Sequence, residues 1–379
     1  MKFSDVVGLE DVKRKLIKSV NNNKVSHANL FLGNEGTGGL PLALAFAQYI
    51  NCNNRKENDS CGECSSCKKS EKLIHPDFHY TYPIIKKPNN RKSVSEDYIN
   101  EWRSAILENP YLTYTDWLVK LKAENKQGNI YIEECHRIIK NLSLKAYSGK
   151  NKFQIIWLPE YLGKAGNSLL KIIEEPTANT YFIFVAQIKD KILNTIISRM
   201  QTTLLPPLNH DVISDKLTTA FGVEHEEAIN IAHLSNGNYS EAYSLYQKGQ
   251  NDHAESFIEW MRMCYLFEKD PKKIYDWINK TVKEGREYLK DFLKYGIRII
   301  REAFLLGNEL EDITHLSKSE QDFAIKFSPF VNSQTIQEIY ELLNKGHYYI
   351  ERNANSKIVI FNLSLQFKRI FKQVSIKQK

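Results

Sequence analysis

The sequence has no apolar run long enough to cross a bilayer. The longest, Leu40 to Ala47, is eight residues and is interrupted by Pro41, far short of the ~20 a spanning helix needs. The opening stretch, MKFSDVVGLEDVKRK, mixes acids with bases and has no apolar signal core. A cytoplasmic chain is therefore expected, with no membrane partner. Strong charge of one sign is missing too. Lys and Arg number 52 against 45 Asp and Glu, leaving +7 over 379 residues, which permits nucleic-acid contact without amounting to a polybasic tail. No period of about 20–50 residues repeats, so a solenoid is not expected. What is present is an ordinary globular balance, 42% hydrophobic and 26% charged. It supplies enough apolar surface for real cores and excludes wholesale disorder. At this length two or three domains are expected.

Residues 1–206 alternate short apolar runs with helical patterns, the rhythm of a parallel βα sheet with helices on both faces. Strands are expected at Asn29–Leu32, Phe153–Leu158 and Tyr181–Ala186, and helices at Leu40–Ile50, Ala165–Glu175 (stopped by Pro176) and 190–199. The rhythm breaks at about 79–127, where Pro, Asn and Lys mix with aromatics in His79-Tyr-Thr-Tyr-Pro83, Lys86-Lys87-Pro88-Asn89-Asn90, Trp102 and Trp117. This reads as a surface insertion that the α/β core does not need. Leu204-Leu205-Pro206-Pro207-Leu208 reads as a linker. A small helical domain is expected at 207–250 and an all-helical one at 251–379, with Ile297, Ile300, Phe304, then Ile336, Ile339, Tyr340, Leu343, then Leu363, Phe367, Ile370 on shared faces. The basic end, Lys368 to Lys379, reads as a solvated tail. Glu133 to Tyr147, with Arg137, Lys140 and Lys145, reads as a solvated helix aligned with its dipole rather than a DNA contact.

Six cysteines in a reducing compartment are not expected to form disulfides. Cys135 and Cys264 stand alone in helix-like or apolar surroundings and read as core residues, whereas Cys52, Cys61, Cys64 and Cys67 have the spacing C-x8-C-x2-C-x2-C. Two C-x2-C steps are the usual knuckle geometry of a closed, tetrahedral structural Zn2+ site. Arg55, Lys56, Lys68 and Lys69 are near enough in sequence to offset its −2 charge. A redox C-x2-C pair is the competing reading, but it uses two cysteines at a helix start, not four.

Equally informative is what is missing after the first strand. In Gly33-Asn34-Glu35-Gly36-Thr37-Gly38-Gly39-Leu40, Gly33 and Gly38 fit the phosphate-loop pattern G-x4-G-K-[ST], but Gly39 replaces the lysine and Leu40 the hydroxyl. Glu35 adds negative charge where phosphate would sit. The strand FQIIWL is followed by Pro159-Glu160 rather than by a pair of acids. The glycines Gly33, Gly36, Gly38 and Gly39 thus read as a degenerate loop, and no ATP is expected there.

Five segments carry a resemblance to a known family: Phe3-Ser4-Asp5-Val6-Val7-Gly8-Leu9-Glu10, Ser26-His27-Ala28-Asn29-Leu30-Phe31-Leu32-Gly33, the four-cysteine module, Asn167-Ser168-Leu169-Leu170-Lys171-Ile172-Ile173-Glu174-Glu175-Pro176, and Thr195-Ile196-Ile197-Ser198-Arg199-Met200-Gln201. Together they resemble the AAA+ clamp-loader family of bacterial DNA polymerase III, and within it the delta-prime subunits rather than the ATPase paralogue. Glu351-Arg352-Asn353-Ala354-Asn355 adds support in the region where that family has its collar. The resemblance implies a P-loop-type α/β domain with a zinc module, a small helical lid and a helical collar. It implies that Arg199, beside Ser198, is an arginine finger acting in trans on a neighbour's ATP. It also implies gamma/tau-like and delta-like subunits, and through them the sliding clamp and primed DNA, as partners. Ser240 stands where an active ATPase would be expected to place an arginine. The expected function is a non-catalytic ring scaffold without ATPase or polymerase activity of its own. A divergent active AAA+ ATPase with a remodelling or helicase-loading role is the alternative, and a zinc-dependent interaction module the third reading.

Overall fold

The computed structural model describes all residues except 87–91, 124–125, 148–149, 249–251, 311–313, 315, 317 and 378–379. The stretch Lys87 to Asn90 and the 250/251 boundary therefore lie outside the described residues. The chain divides into two compact units, Met1–Lys248 and Gly249–Lys379. No helix among the described residues is long and apolar enough to cross a membrane.

The first unit is built on a parallel sheet of β1 (Ala28–Leu32), β2 (Phe78–Thr81), β3 (Lys152–Trp157), β4 (Thr180–Ala186) and β5 (Gln201–Leu204), ordered β2-β3-β4-β1-β5. Parallel sheets are covered on both faces, which is why their strands read as nearly continuous apolar runs. Side chains alternate accordingly. Phe31, Ile155, Trp157, Ile183 and Val185 enter a core with α1 (Glu10–Asn21) and α2 (Gly39–Asn51). Leu30, Ile156, Phe182 and Phe184 enter a second core on the other face. α2 is apolar except for Gln48 and buried all round from Leu40 to Tyr49, as such a helix must be. Pro41 is tolerated because it lies in the first turn, where backbone N–H groups lack partners.

α3 (Ser65–Glu71), α4 (Ile99–Glu108), α5 (Tyr114–Lys120) and α6 (Ile132–Ser143) lie between β1 and β3 in sequence. The segment expected as a dispensable insertion belongs to the core. It opens with the edge strand β2, and Tyr82, Trp102 and Trp117 are all but completely buried. Tyr82 stacks on Trp102 at 4.0 Å, while Trp117 and the strand residue Trp157 each lie 5.4 Å from Trp102. Trp117 Nε1 donates to Pro83 O at 2.7 Å. Polar residues between the aromatics mask a packing nucleus that has no regular period. Nor is Arg137 a solvated helix charge: it pairs at 2.6 Å with Glu134, a buried carboxylate that also accepts from Thr81 Oγ1 at 2.6 Å and Ser95 N at 2.9 Å.

After β3 the expected helix 165–175 is a 3-10 helix, Gly163–Leu169, running into α7 (Leu170–Glu174). The expected helix 190–199 shrinks to α8 (Asn194–Ile197). Leu204 closes β5 rather than opening a linker, and the next residues are anchored: Leu205 N donates to Leu32 O at 2.8 Å and Leu208 N to Gly237 O at 3.1 Å. Helices α9 (His210–Phe221), α10 (His225–Leu234) and α11 (Tyr239–Lys248) follow, and Ile213, Leu217, Ala228 and Ile231 share the core of α1 and α2.

The second unit is all-helical: α12 (Asp252–Tyr265), α13 (Pro271–Thr281), α14 (Arg286–Gly307), α15 (Lys318–Phe327), α16 (Ile336–Glu351) and α17 (Ser356–Lys377). Ile300, Ile339, Leu343, Leu363, Phe367 and Ile370 are buried in its core, and Tyr340 is exposed. The basic end is not a tail up to Lys377. It is the last turns of α17, fixed by buried Ile370 and Phe371, with Lys368 and Lys372 paired to Glu268.

Trp102→Ala is expected to destabilise the first unit by about 3–5 kcal/mol, the usual cost of deleting a buried aromatic. Replacing 82–127 by a Gly/Ser linker is expected to abolish its cooperative thermal transition. Calorimetry of the two variants checks both.

Candidate functional site

The four cysteines come together where α2 ends and α3 begins. Cys52 follows the last residue of α2, Gly62 turns the chain with φ +76°, and Cys64 caps α3 by accepting from Cys67 N. All four Sγ atoms lie within 4.8 Å of one another. Cys52 and Cys61 are 3.5 Å apart and Cys61 and Cys67 3.9 Å. With metal–sulfur bonds of about 2.3 Å, a tetrahedron places its sulfurs about 3.8 Å apart, so the cage is compatible with zinc. Backbone N–H groups already point at the sulfurs, Cys61 N to Cys52 and Cys64 N to Cys61, both at 3.3 Å. Burial pushes the Cys64 thiol up, but the N–H groups of Cys67 and Asn53 and the neighbouring thiols outweigh it and bring the group down to about 6. Such donors favour the thiolate, the form that binds metal.

The glycine loop follows β1 at the C-terminal end of the sheet, where open α/β sheets place ligands. Gly33, Gly36, Gly38 and Gly39 all line one space, and it holds only about 30 Å³, room for a few waters. Pro110, Tyr111 and Leu112, between α4 and α5, line it as well. The Tyr111 ring is so close that a methyl on Gly38 (φ +90°) would sit 3.2 Å from its Cε1. Tyr111 Oη accepts from Val7 N at 2.7 Å, and burial pushes its phenol pKa up.

The start of α11 closes the loop from the other side. Ser240 Oγ donates to Tyr111 O at 2.5 Å, Tyr239 stacks obliquely on Tyr111 at 4.6 Å, and Tyr239 N donates to Gly36 O at 3.1 Å. Asn238 caps α11 by accepting from Glu241 N at 3.0 Å. It sits so near Gly36 (φ +75°) that a methyl there would come within 1.7 Å of Asn238 Oδ1. The remaining acid is also engaged: Glu160 accepts from Ile188 N at 2.7 Å and from Gln187 N. Burial raises its pKa, against these backbone donors. Tyr111 and Asn238 escape a motif search because their role depends on proximity across more than 70 residues. The smallness of Gly36 and Gly38 is the one trace they leave in the sequence.

Arg199 is elsewhere. It precedes β5, whose Gln201 pairs with Asn29 near the start of β1, whereas the glycine loop follows Leu32 at the end of β1. The arginine and the loop therefore lie at opposite ends of the strands. Arg199 Nε donates to Glu174 at 2.9 Å and its Nη1 to Thr195 O at 2.9 Å. Ser198 beside it is exposed, its Oγ donating to Thr195 O at 3.2 Å.

The family model described as DNA polymerase III, delta subunit, matches residues 8–209, more than half of the chain. The chain belongs to that family. It is similar to the DNA polymerase III subunit delta' of Haemophilus influenzae, 25% identical over 301 residues that cover 76% of this chain and 77% of that one. The delta' of Bacillus subtilis is 28% identical over 234 residues, 62% of this chain and 58% of that one. The gamma/tau subunit of Mycoplasma genitalium is 23% identical over 374 residues, 93% of this chain and 54% of that one. The chain thus spans little more than half the length of the last two. Among solved structures, a gamma subunit-related protein of Thermotoga maritima aligns over 96% of this chain and 99% of its own at 15% identity, with a TM-score of 0.42.

Within this family member, the cysteine cage generates a direct expectation. Protein purified without added metal should carry about one equivalent of zinc. Cys64→Ser should lower that occupancy and speed amide exchange across residues 52–71, because metal binding energy is also local folding energy. Because thiolates, not thiols, hold the metal, occupancy should fall as pH is lowered.

Proposed function

We propose that this chain is a non-catalytic, delta-prime-like subunit of a DNA polymerase III clamp loader, acting in the cytoplasm. It completes a ring with gamma/tau-like and delta-like subunits, which carries the sliding clamp to primed DNA. The observation that carries this reading is the state of the glycine loop. It lacks the lysine, the hydroxyl and the paired acids, and Tyr111 and the start of α11 pack closely against its glycines. An active ATPase, the alternative, would need that space open and those charges restored. The four cysteines serve as ligands of one structural Zn2+, with no open position for chemistry.

Arg199 supplies what the chain contributes to its neighbour's reaction. Being at the far end of the strands from its own glycine loop, it is suited to a nucleotide held by another chain rather than by this one. A guanidinium is always charged and presents a planar fork to phosphate oxygens, so it stabilises charge as the γ-phosphoryl leaves. Fingers of this kind are worth about 10³–10⁵ in rate in GTPases.

The isolated chain is expected to show no saturable, magnesium-dependent binding of a labelled ATP analogue at micromolar concentration. Gly39→Lys alone should not change that, since Leu40 and Tyr111 remain. In the reconstituted complex, Arg199→Ala should leave assembly intact while lowering clamp- and DNA-stimulated ATPase partially, one site being affected. Arg199→Lys should restore only part of the loss. Turnover by the isolated chain, or a complex indifferent to Arg199→Ala, would refute the proposal.

A further inference from the structure

The segment Asn167–Pro176 stands out in sequence, yet nothing so far requires its two acids. The structure gives one of them a partner. Glu174 ends α7, and its Oε2 accepts from Arg199 Nε at 2.9 Å. The arginine is held at a second point by Thr195 O, through Nη1. Nη2 has no hydrogen-bond partner among the described residues, and the side chain is about one-third exposed. The guanidinium is thus held from two sides, at Nε and at Nη1, and its Nη2 is left open.

The platform carrying Glu174 is itself fixed. Ile173 is fully buried in the second core. Its carbonyl accepts from Nε2 of His27, immediately before β1, at 3.0 Å. Residues Met200 and Gln201 lead Arg199 straight into β5, which is bonded to β1. Both partners of the pair are therefore tied to the same end of the sheet.

We propose that Glu174 is the positioning residue of Arg199. It does not touch nucleotide. It holds Nε so that the free Nη2 is presented to a phosphate oxygen of a nucleoside triphosphate bound by the neighbouring chain. A free arginine side chain samples many rotamers and must lose that freedom on each encounter. An arginine already clasped by a carboxylate has lost most of it beforehand. This inference rests on the trans role proposed for Arg199.

The test uses the reconstituted complex with wild-type chain, Glu174→Ala, Glu174→Gln, Arg199→Ala and the Glu174→Ala/Arg199→Ala double variant. Steady-state ATPase is read as kcat and KM, with assembly checked by gel filtration. An exposed ion pair of this kind sets the scale at about two- to five-fold. Glu174→Ala should lower kcat by that factor with KM for ATP unchanged. Glu174→Gln, which keeps an acceptor for Nε–H, should recover most of it. The double variant should match Arg199→Ala alone. In the isolated chain, the Arg199 Nε–H signal in nitrogen-resolved NMR should exchange slowly with water in wild type and fast in Glu174→Ala.

If Arg199→Ala lowers kcat and Glu174→Ala does not, the positioning role is overturned while the trans role of the arginine stands. The positioning role fails equally if Glu174→Ala raises kcat, which would make the carboxylate a restraint, or if it still lowers kcat when Arg199 is already absent. If Arg199→Ala itself has no effect, the underlying reading fails and this one with it.

Discussion

A parallel sheet has no face that it can leave to water, and most of the first unit follows from that constraint. Five strands without a hairpin need connections that travel across the sheet, and those connections must bring apolar cover with them. α2 supplies part of it on one face, while α6 and the turn at residues 162–173 supply it on the other. The remaining area above β3 is sealed by the aromatic nucleus of Tyr82, Trp102 and Trp117. The same connection continues into Tyr111, so the segment that completes the core also walls the glycine-loop space. The narrowness of that space is inseparable from the way the sheet is covered.

What was legible in the sequence was whatever repeats locally. Three strands, β1, β3 and β4, announce themselves as apolar runs, and the four cysteines by spacing alone. β2 and β5 do not, because each is a four-residue edge strand, and the residues of β5 are largely exposed. Residues 79–127 were misleading for a related reason. Aromatics separated by polar loops give no periodic signal, so the burial of Trp102 and Trp117 depends on contacts with distant Trp157 and Pro83. Buried charge was equally hidden. Lys152 lies in the interior, donating to Leu144 O at 2.7 Å and Thr177 Oγ1 at 2.9 Å, where it satisfies carbonyls left open at the end of α6. Sequence marks a lysine or glutamate as a surface residue by default, and only the tertiary arrangement reveals an exception.

The two ends of the sheet carry opposite kinds of feature. At the C-terminal end the glycine loop, a place where anions commonly bind helix N-termini, is closed by neutral groups: a phenol, an amide and a hydroxyl. At the other end a cation is kept near the surface with its Nη2 open. The cation of a phosphate loop is thus missing beside the glycines, while a cation is kept at the far end of the strands. The family to which the chain belongs makes that contrast meaningful, but the contrast itself is a matter of side-chain chemistry and position.

The strand order has a consequence for how the chain comes into being. β1 ends at Leu32, yet the strands that flank it begin only at Thr180 and Gln201. At synthesis rates of about 5–20 residues per second, β1 and the largely apolar α2 wait on the order of ten seconds for their neighbours. Long-range parallel pairing is slow even once the partners exist. The cysteine cage, by contrast, has every member within residues 52–67 and can close as soon as that stretch emerges. A metal captured there would pin the end of α2 before any sheet exists to shelter it. A knuckle so loaded would act as a temporal staple on a largely apolar helix during that interval.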